Sequence, residues 1–323
     1  MELVSKKRLE LYAGRSHLRL AEDIAGHLGV TLGNPNLREF PNSEDHCQFG
    51  GSVRGADVFI FQTHARRVND SIMEQCIMLD AAKRASARRI TAVCPYFGYS
   101  RQDRKASGRE PITAKLVADL LATAGADRIV SVDLHSSQIQ GFFDGPVDHL
   151  TAMPVLIDYL RHADLEDPVV IAPDAGRIKV AERFSQHLGR DLAFVYKRRP
   201  KGEPGQVQAL EVIGNVAGRT CVLIDDIIDT ASTICAAADL LLERGASEVW
   251  AMATHGVLSG PAVDRLKNSA LTRVVITDTL PLDDDQRFDK LEVLSVARII
   301  ADAIDAVFAD TSVSEIFGGD NQA

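Results

Sequence analysis

The stretch Val222-Leu223-Ile224-Asp225-Asp226-Ile227-Ile228-Asp229-Thr230-Ala231-Ser232-Thr233 decides how the rest of the chain is read. An apolar run ends in two adjacent carboxylates, and a third carboxylate with hydroxyl residues leads into Ile234-Cys235-Ala236-Ala237-Ala238-Asp239-Leu240-Leu241-Leu242. That second run has helical composition and spacing, and Gly245 is placed to stop it. A buried strand followed by a helix delivers Asp225 and Asp226 to the strand's carboxyl end, while the helix start offers unpaired backbone N–H groups to an anion. Carboxylates accept hydrogen bonds from sugar hydroxyls and loop amides hold phosphate. The pattern therefore suits a sugar phosphate at the crevice of an open parallel sheet. The same residue types also suit a plain turn with solvated acids, because Asp and Thr are common turn and cap residues.

Outward from this stretch the chain repeats a plan. A strand at 58–61, a helical run at 72–83 and a strand at 90–93 correspond to a strand at 221–224, the helix after it and a strand at 249–252. Apolar strands alternating with amphipathic helices predict βαβ units and mainly parallel sheets flanked by helices. The expected fold class is α/β, with two tandem duplicated Rossmann-like domains over residues 1–150 and 151–300. A tail follows over 301–323; the segment 296–308 reads as helical, and the sequence alone does not decide whether it packs back on the first domain. Only the second copy carries the Asp-Asp pair, so only it is expected to hold the sugar phosphate.

Composition narrows the class. The chain has 323 residues, enough for two domains, and 46% of them are hydrophobic, an ordinary share for a soluble globular protein. No run approaches the roughly 18 apolar residues of a membrane span, and the basic N-terminal residues precede no apolar signal core. A net charge of -9 argues against nucleic acid as a partner. The five cysteines lack metal-ligand spacing and are expected to be free thiols of a cytoplasmic protein.

Three more segments carry chemistry. Pro95-Tyr96-Phe97-Gly98-Tyr99-Ser100-Arg101-Gln102-Asp103-Arg104-Lys105 puts cations on a loop after a strand, suited to polyphosphate or simply to water. Asp133 and His135 also follow a strand, whose alternation would turn both to one side. Lys197-Arg198-Arg199-Pro200-Lys201-Gly202 is a basic, Pro- and Gly-containing loop, suited to closing over anions or to a solvated hairpin.

These segments together resemble one family. The 222–233 stretch is similar to the phosphoribosyl-diphosphate loop of the type I phosphoribosyltransferase superfamily, whose usual form has glycines where Ala231 and Ser232 stand. If the second of these positions needs a positive φ, Ser232 is strained. Tyr96 to Arg104, Ser131 to Asp144, Ala172-Pro173-Asp174-Ala175-Gly176-Arg177 and Lys197 to Pro200 follow in the order found in ribose-phosphate diphosphokinases. In the third of these, Arg177 replaces a glycine.

The resemblance implies two phosphoribosyltransferase-like domains and transfer of the β,γ-diphosphoryl group of ATP to the 1-hydroxyl of ribose 5-phosphate. It implies that Phe40, Asn42, Glu44, Arg101, Gln102, Asp103 and His135 bind ATP. It places Asp174, Asp225, Asp226, Asp229, Thr230, Ala231, Ser232 and Thr233 on ribose 5-phosphate, Lys197 and Arg199 in catalysis, and His135 and Asp174 beside Mg²⁺. Asn42 stands where the family has Asp, and its carbonyl still accepts a hydrogen bond from an adenine amino group. The segment 45–51 loses the alternation of a strand. A homo-hexamer in the cytoplasm, with neither nucleic-acid nor membrane partner, completes the expectation. Ala231, Ser232, Asn42 and Arg177 motivate an alternative, a weakly active regulatory homologue. A phosphoribosyltransferase that consumes the diphosphate sugar is the other, and the ATP-type loops count against it.

Overall fold

The structure is a computed structural model that describes residues 7–65, 67–198 and 209–317. Two compact units share them. The first comprises residues 7–151, 279–281 and 296–317. In order it holds β1 (Leu9–Ala13), α1 (Leu18–Leu28), β2 (Arg38–Glu39), β3 (Asp45–His46), β4 (Asp57–Phe61), α2 (Val68–Arg84), β5 (Arg89–Cys94), α3 (Thr113–Ala124), β6 (Arg128–Val132) and β7 (Val147–Leu150).

The second unit comprises residues 152–278 and 282–295. It begins with α4 (Met153–His162), β8 (Val169–Ala172), α5 (Ile178–Leu188), β9 (Leu192–Arg198), β10 (Ala209–Ile213) and β11 (Thr220–Ile228). It continues through α6 (Ser232–Glu243), β12 (Glu248–Gly256), α7 (Ala262–Asn268), β13 (Arg273–Thr277) and β14 (Leu291–Leu294). The last helix, α8 (Ala297–Ala309), belongs whole to the first unit, where it packs against α1.

Five strands of the first unit form a parallel sheet in the order β1-β4-β5-β6-β7. The second unit orders its strands β10-β9-β8-β11-β12-β13-β14, all parallel except the β9–β10 pair. The run β8-β11-β12-β13-β14 repeats β1-β4-β5-β6-β7 step for step. In each copy a hairpin interrupts the first crossover: the small β2–β3 pair in one, β9–β10 in the other. In the second unit that hairpin adds to the sheet beside β8, so the chain first winds one way from β8 and then the other. The reversal between β8 and β11 is a topological switch point, where open α/β sheets leave a crevice at their carboxyl ends. In the first sheet the strand order runs in sequence without such a reversal.

The strands are apolar because both faces are covered. β4 is buried at every residue, and its Asp57 is tolerated because Arg88 and Arg89 both bind its carboxylate. In the second unit one face of the sheet packs Leu223, Ala237, Leu241 and Ile276, and the other packs Ile224, Phe184, Leu156 and Met252. Cys94 and Cys221 lie inside strands, and burial pushes both thiols up to about 12, as befits inert core residues. Among the described residues no helix is long and apolar enough to cross a membrane.

Candidate functional site

The chain places its acids at the switch point. β8 pairs with β11 only as far as Ile171 opposite Leu223, whereas β11 continues beside β12 to Ile228 opposite Gly256. Asp225 and Asp226 therefore lie within the strand, toward its carboxyl end, on the part that outruns β8. Their side chains are 18% and 9% exposed. The backbone N–H of Asp226 donates to Asp225 Oδ1 at 2.8 Å.

A cation spans the pair. Arg177 Nε stands 3.1 Å from Asp225 Oδ1 and Arg177 Nη2 stands 2.7 Å from Asp226 Oδ1. Burial, and next the charge of Asp226, raise the Asp225 carboxyl well above the ordinary range, with Arg177 opposing the shift. Arg177 has φ -102°, so its replacement of a glycine imposes no backbone strain. The turn before it is fixed by Asp174, whose Oδ1 accepts from Gly176 N at 2.8 Å. A Cβ on Gly176 would meet that same oxygen at 3.2 Å.

The loop after β11 turns sharply into α6. Here the left-handed residue is Ala231, at φ 61°, whereas Ser232 is the first residue of the helix. The expected strain thus falls one position earlier than Ser232. No side chain caps α6 at Ala231. The helix ladder begins with Cys235 N donating to Ala231 O, which leaves the first-turn amides outside it. Thr230, Ser232 and Thr233 are exposed around that turn, with Thr230 Oγ1 and Ser232 Oγ 3.2 Å apart. Two residues the sequence did not single out brace the loop: Ser259 Oγ donates to Asp229, and Arg265 Nη1 donates to Thr230 O at 2.8 Å. Each lies about thirty residues beyond its partner, and no local pattern marks either.

In the first unit the ATP-type loop is gripped from below. His64 N donates to Tyr96 O at 3.1 Å, Thr63 Oγ1 accepts from Tyr96 N at 3.1 Å, and His64 Nδ1 accepts from Gly98 N at 2.8 Å. His64 Nε2 faces Gln75 Oε1 at 2.9 Å, so that nitrogen carries the proton. Burial holds His64 neutral, with its pKa pushed down to about 4. Gly98 is required at its position because a Cβ would meet both His64 and Val68 at 2.9 Å.

Beyond that grip the loop residues divide. Arg101 is exposed. Gln102 anchors the start of α3, its Oε1 accepting from Thr113 Oγ1 at 2.6 Å and its carbonyl from Ala114 N at 3.2 Å. Asp103 is buried and accepts from Gln138 Nε2 at 2.6 Å.

His135 is half-buried after β6, which ends at Val132. Asp133 turns at φ 38°, so strand alternation does not govern where the two residues face. Asp133 instead accepts from Thr151 Oγ1 at 2.8 Å. Phe40, Asn42 and Glu44 form the tip of the β2–β3 hairpin, and only two residues of the segment 45–51, Asp45 and His46, are in a strand. Phe40 is 38% exposed beneath the Arg38 guanidinium, 5.2 Å from its ring centre. Asn42 Oδ1 caps Glu44 N at 3.3 Å, and Arg15 ties the hairpin to α2 through Asp45 and Glu74. The Lys197 side chain and all of Arg199 lie outside the described residues.

A parallel sheet whose switch point carries paired acids, with an anion-receptive helix start beside them, defines an α/β enzyme that handles sugar phosphates. The comparisons with known proteins take this further. Residues 9–125 match the N-terminal domain of ribose phosphate pyrophosphokinase, and residues 192–318 match the phosphoribosyl synthetase-associated domain. A ribose-phosphate pyrophosphokinase of Bifidobacterium longum is 57% identical over 96% of this chain and 93% of its own length. That of Streptomyces avermitilis is 52% identical over 98% of each chain. The crystal structure of phosphoribosylpyrophosphate synthetase from Mycobacterium smegmatis, 51% identical, superposes with a TM-score of 0.89 over 94% of this chain and all of that one. The chain belongs to the ribose-phosphate pyrophosphokinase family, and it is an enzyme of phosphoryl transfer.

Proposed function

We propose that this enzyme joins ribose 5-phosphate to the diphosphoryl group of ATP, giving 5-phosphoribosyl 1-diphosphate and AMP, with acceptor-binding residues in the second unit and donor-binding residues in the first. The observation that carries the acceptor half is the Asp225–Asp226 pair on the part of β11 that outruns β8. Carboxylates there accept hydrogen bonds from the ribose hydroxyls. The turn from Asp229 to Thr233, with Ala231 left-handed and the first amides of α6 outside the helix ladder, suits the 5-phosphate.

For the donor half, the hairpin tip with Phe40, Asn42 and Glu44 offers a ring face and acceptors to a purine. Arg101 offers a cation to the phosphates. Gln102 and Asp103 act through their anchoring contacts, which set the course of the loop that bears Arg101.

The sugar's 1-hydroxyl oxygen attacks the β-phosphorus. A new O–P bond forms, the bond to the AMP oxygen breaks, and the hydroxyl proton is lost to solvent. Such transfer depends on positioning and charge neutralisation more than on covalent help from the protein. Lys197 and Arg199 are assigned to the charge on the transferred group, by family resemblance.

Among the described residues no three His, Cys, Asp or Glu side chains converge as a metal centre. Mg²⁺ brought in by a nucleotide takes one or two protein ligands and otherwise water and phosphate oxygens. Asp174, held in place by Gly176 N–H, fits that limited demand, with His135 as the other candidate. The ion, when bound, would neutralise phosphate charge. We assign the enzyme to the cytoplasm as a homo-hexamer on the same resemblance.

The test is ³¹P NMR of purified protein with ATP, Mg²⁺ and ribose 5-phosphate. Stoichiometric AMP and 5-phosphoribosyl 1-diphosphate are expected; release of free diphosphate or orthophosphate instead would refute the assignment.

A further inference from the structure

Arg177 has no role in the reaction as set out above, yet it is the side chain that meets both acids of the sugar site. Nothing local dictates its identity. Its φ of -102° and ψ of 0° are open to any residue, and it closes the turn 174–177 just before α5. Even so its side chain is only 13% exposed, folded over the end of β11. Nε reaches Asp225 and Nη2 reaches Asp226, so one rigid planar group spans two carboxylates through two different nitrogens.

Adjacent residues of a strand point to opposite faces, and two neighbouring carboxylates repel. A pair that must receive two adjacent hydroxyls of one sugar needs something to hold it at a set spacing. Asp225 is met by the backbone N–H of its neighbour and by this guanidinium. A lysine ammonium is a point charge and cannot impose the same spacing.

We propose that Arg177 is a positioning residue for the ribose diol. It holds Asp225 and Asp226 as a fixed pair of acceptors, and it thereby sets both the affinity for ribose 5-phosphate and the preference for it over 2-deoxyribose 5-phosphate. The inference rests on reading Asp225 and Asp226 as the diol site.

The experiment is steady-state kinetics on the full-length Arg177→Ala, Arg177→Lys and Asp225→Asn variants, with each substrate varied in turn and both sugar phosphates compared. For Arg177→Ala, KM for ribose 5-phosphate should rise about tenfold or more, the equivalent of one decade in binding, with KM for ATP unchanged. The preference for ribose over deoxyribose should fall by a similar factor. Arg177→Lys should recover only part of either loss.

A general loss of packing would lower activity without selecting one substrate or one hydroxyl. An unchanged or lowered KM for ribose 5-phosphate in Arg177→Ala, beside a raised one in Asp225→Asn, would overturn the inference and leave the sugar site standing. No change in either variant would overturn the site itself. Should Arg177→Ala fail to fold, Arg177→Lys decides: a selective rise in the sugar KM supports the role, and wild-type constants refute it.

Discussion

Acidification should loosen the first unit through one histidine. His64 is fully buried, with Nδ1 accepting from Gly98 N and Nε2 facing Gln75 Oε1, and its pKa is pushed down to about 4. In the unfolded chain the same imidazole titrates near its ordinary value of about 6.5. The folded pKa is the lower one, so the unfolded state takes up the proton first and gains stability as pH falls from about 6.5 to about 4. The gap of about 2.5 units corresponds to a loss of roughly 3 kcal/mol, complete below pH of about 4. Carboxylates titrate over the same range, so the effect is isolated by difference. In His64→Gln the side-chain amide keeps a donor toward Gln75 but cannot be protonated. Urea unfolding followed by circular dichroism at pH 7 and pH 4 should show wild type losing roughly 3 kcal/mol more than the variant. Curves that fall in parallel would refute the reasoning. Because Nδ1 is the acceptor for Gly98 N, hydrogen exchange at Gly98 should also accelerate in wild type at the acid end.

Other outcomes follow from the second unit. Ala231→Gly relieves a left-handed alanine worth about 1 kcal/mol, partly offset by the freer unfolded chain, for a net gain of roughly 0.5 kcal/mol. Ser232→Gly, at a helical position, should instead destabilise by a few tenths to about 1 kcal/mol, and equal signs in denaturant unfolding would contradict the turn geometry. Lys197→Ala should lower kcat about a hundredfold or more while leaving ribose 5-phosphate binding nearly intact; rapid-quench turnover set beside calorimetric binding separates the two.

Much of the fold was legible because its signals are local. Apolar runs such as 221–224 and 58–61 report strands covered on both faces, and the repeated spacing of strand and helix revealed the duplication. What escaped was set by partners far along the chain. The acids read correctly as the carboxyl end of a strand, but nothing near Asp225 says that β8 stops short of it. Which of Ala231 and Ser232 takes the positive φ depends on where α6 starts, a detail that composition leaves open within a residue or two.

Arg177 stood out as a departure from a glycine pattern, but the interest lay in its side chain rather than its backbone. Its partners are 48 and 49 positions away (225 − 177 and 226 − 177). Gln102 and Asp103 share a motif with Arg101, and their side chains also contact the protein's own scaffold, contacts that the motif alone does not express.

Isothermal titration of ribose 5-phosphate into the wild-type enzyme and into Asp226→Asn bears on the acid pair at the switch point without passing through catalysis. Loss of a charge-assisted hydrogen bond to a sugar hydroxyl should weaken binding by about 1.5–3 kcal/mol, a Kd raised roughly tenfold or more. Equal dissociation constants for the two proteins would show that the sugar sits elsewhere.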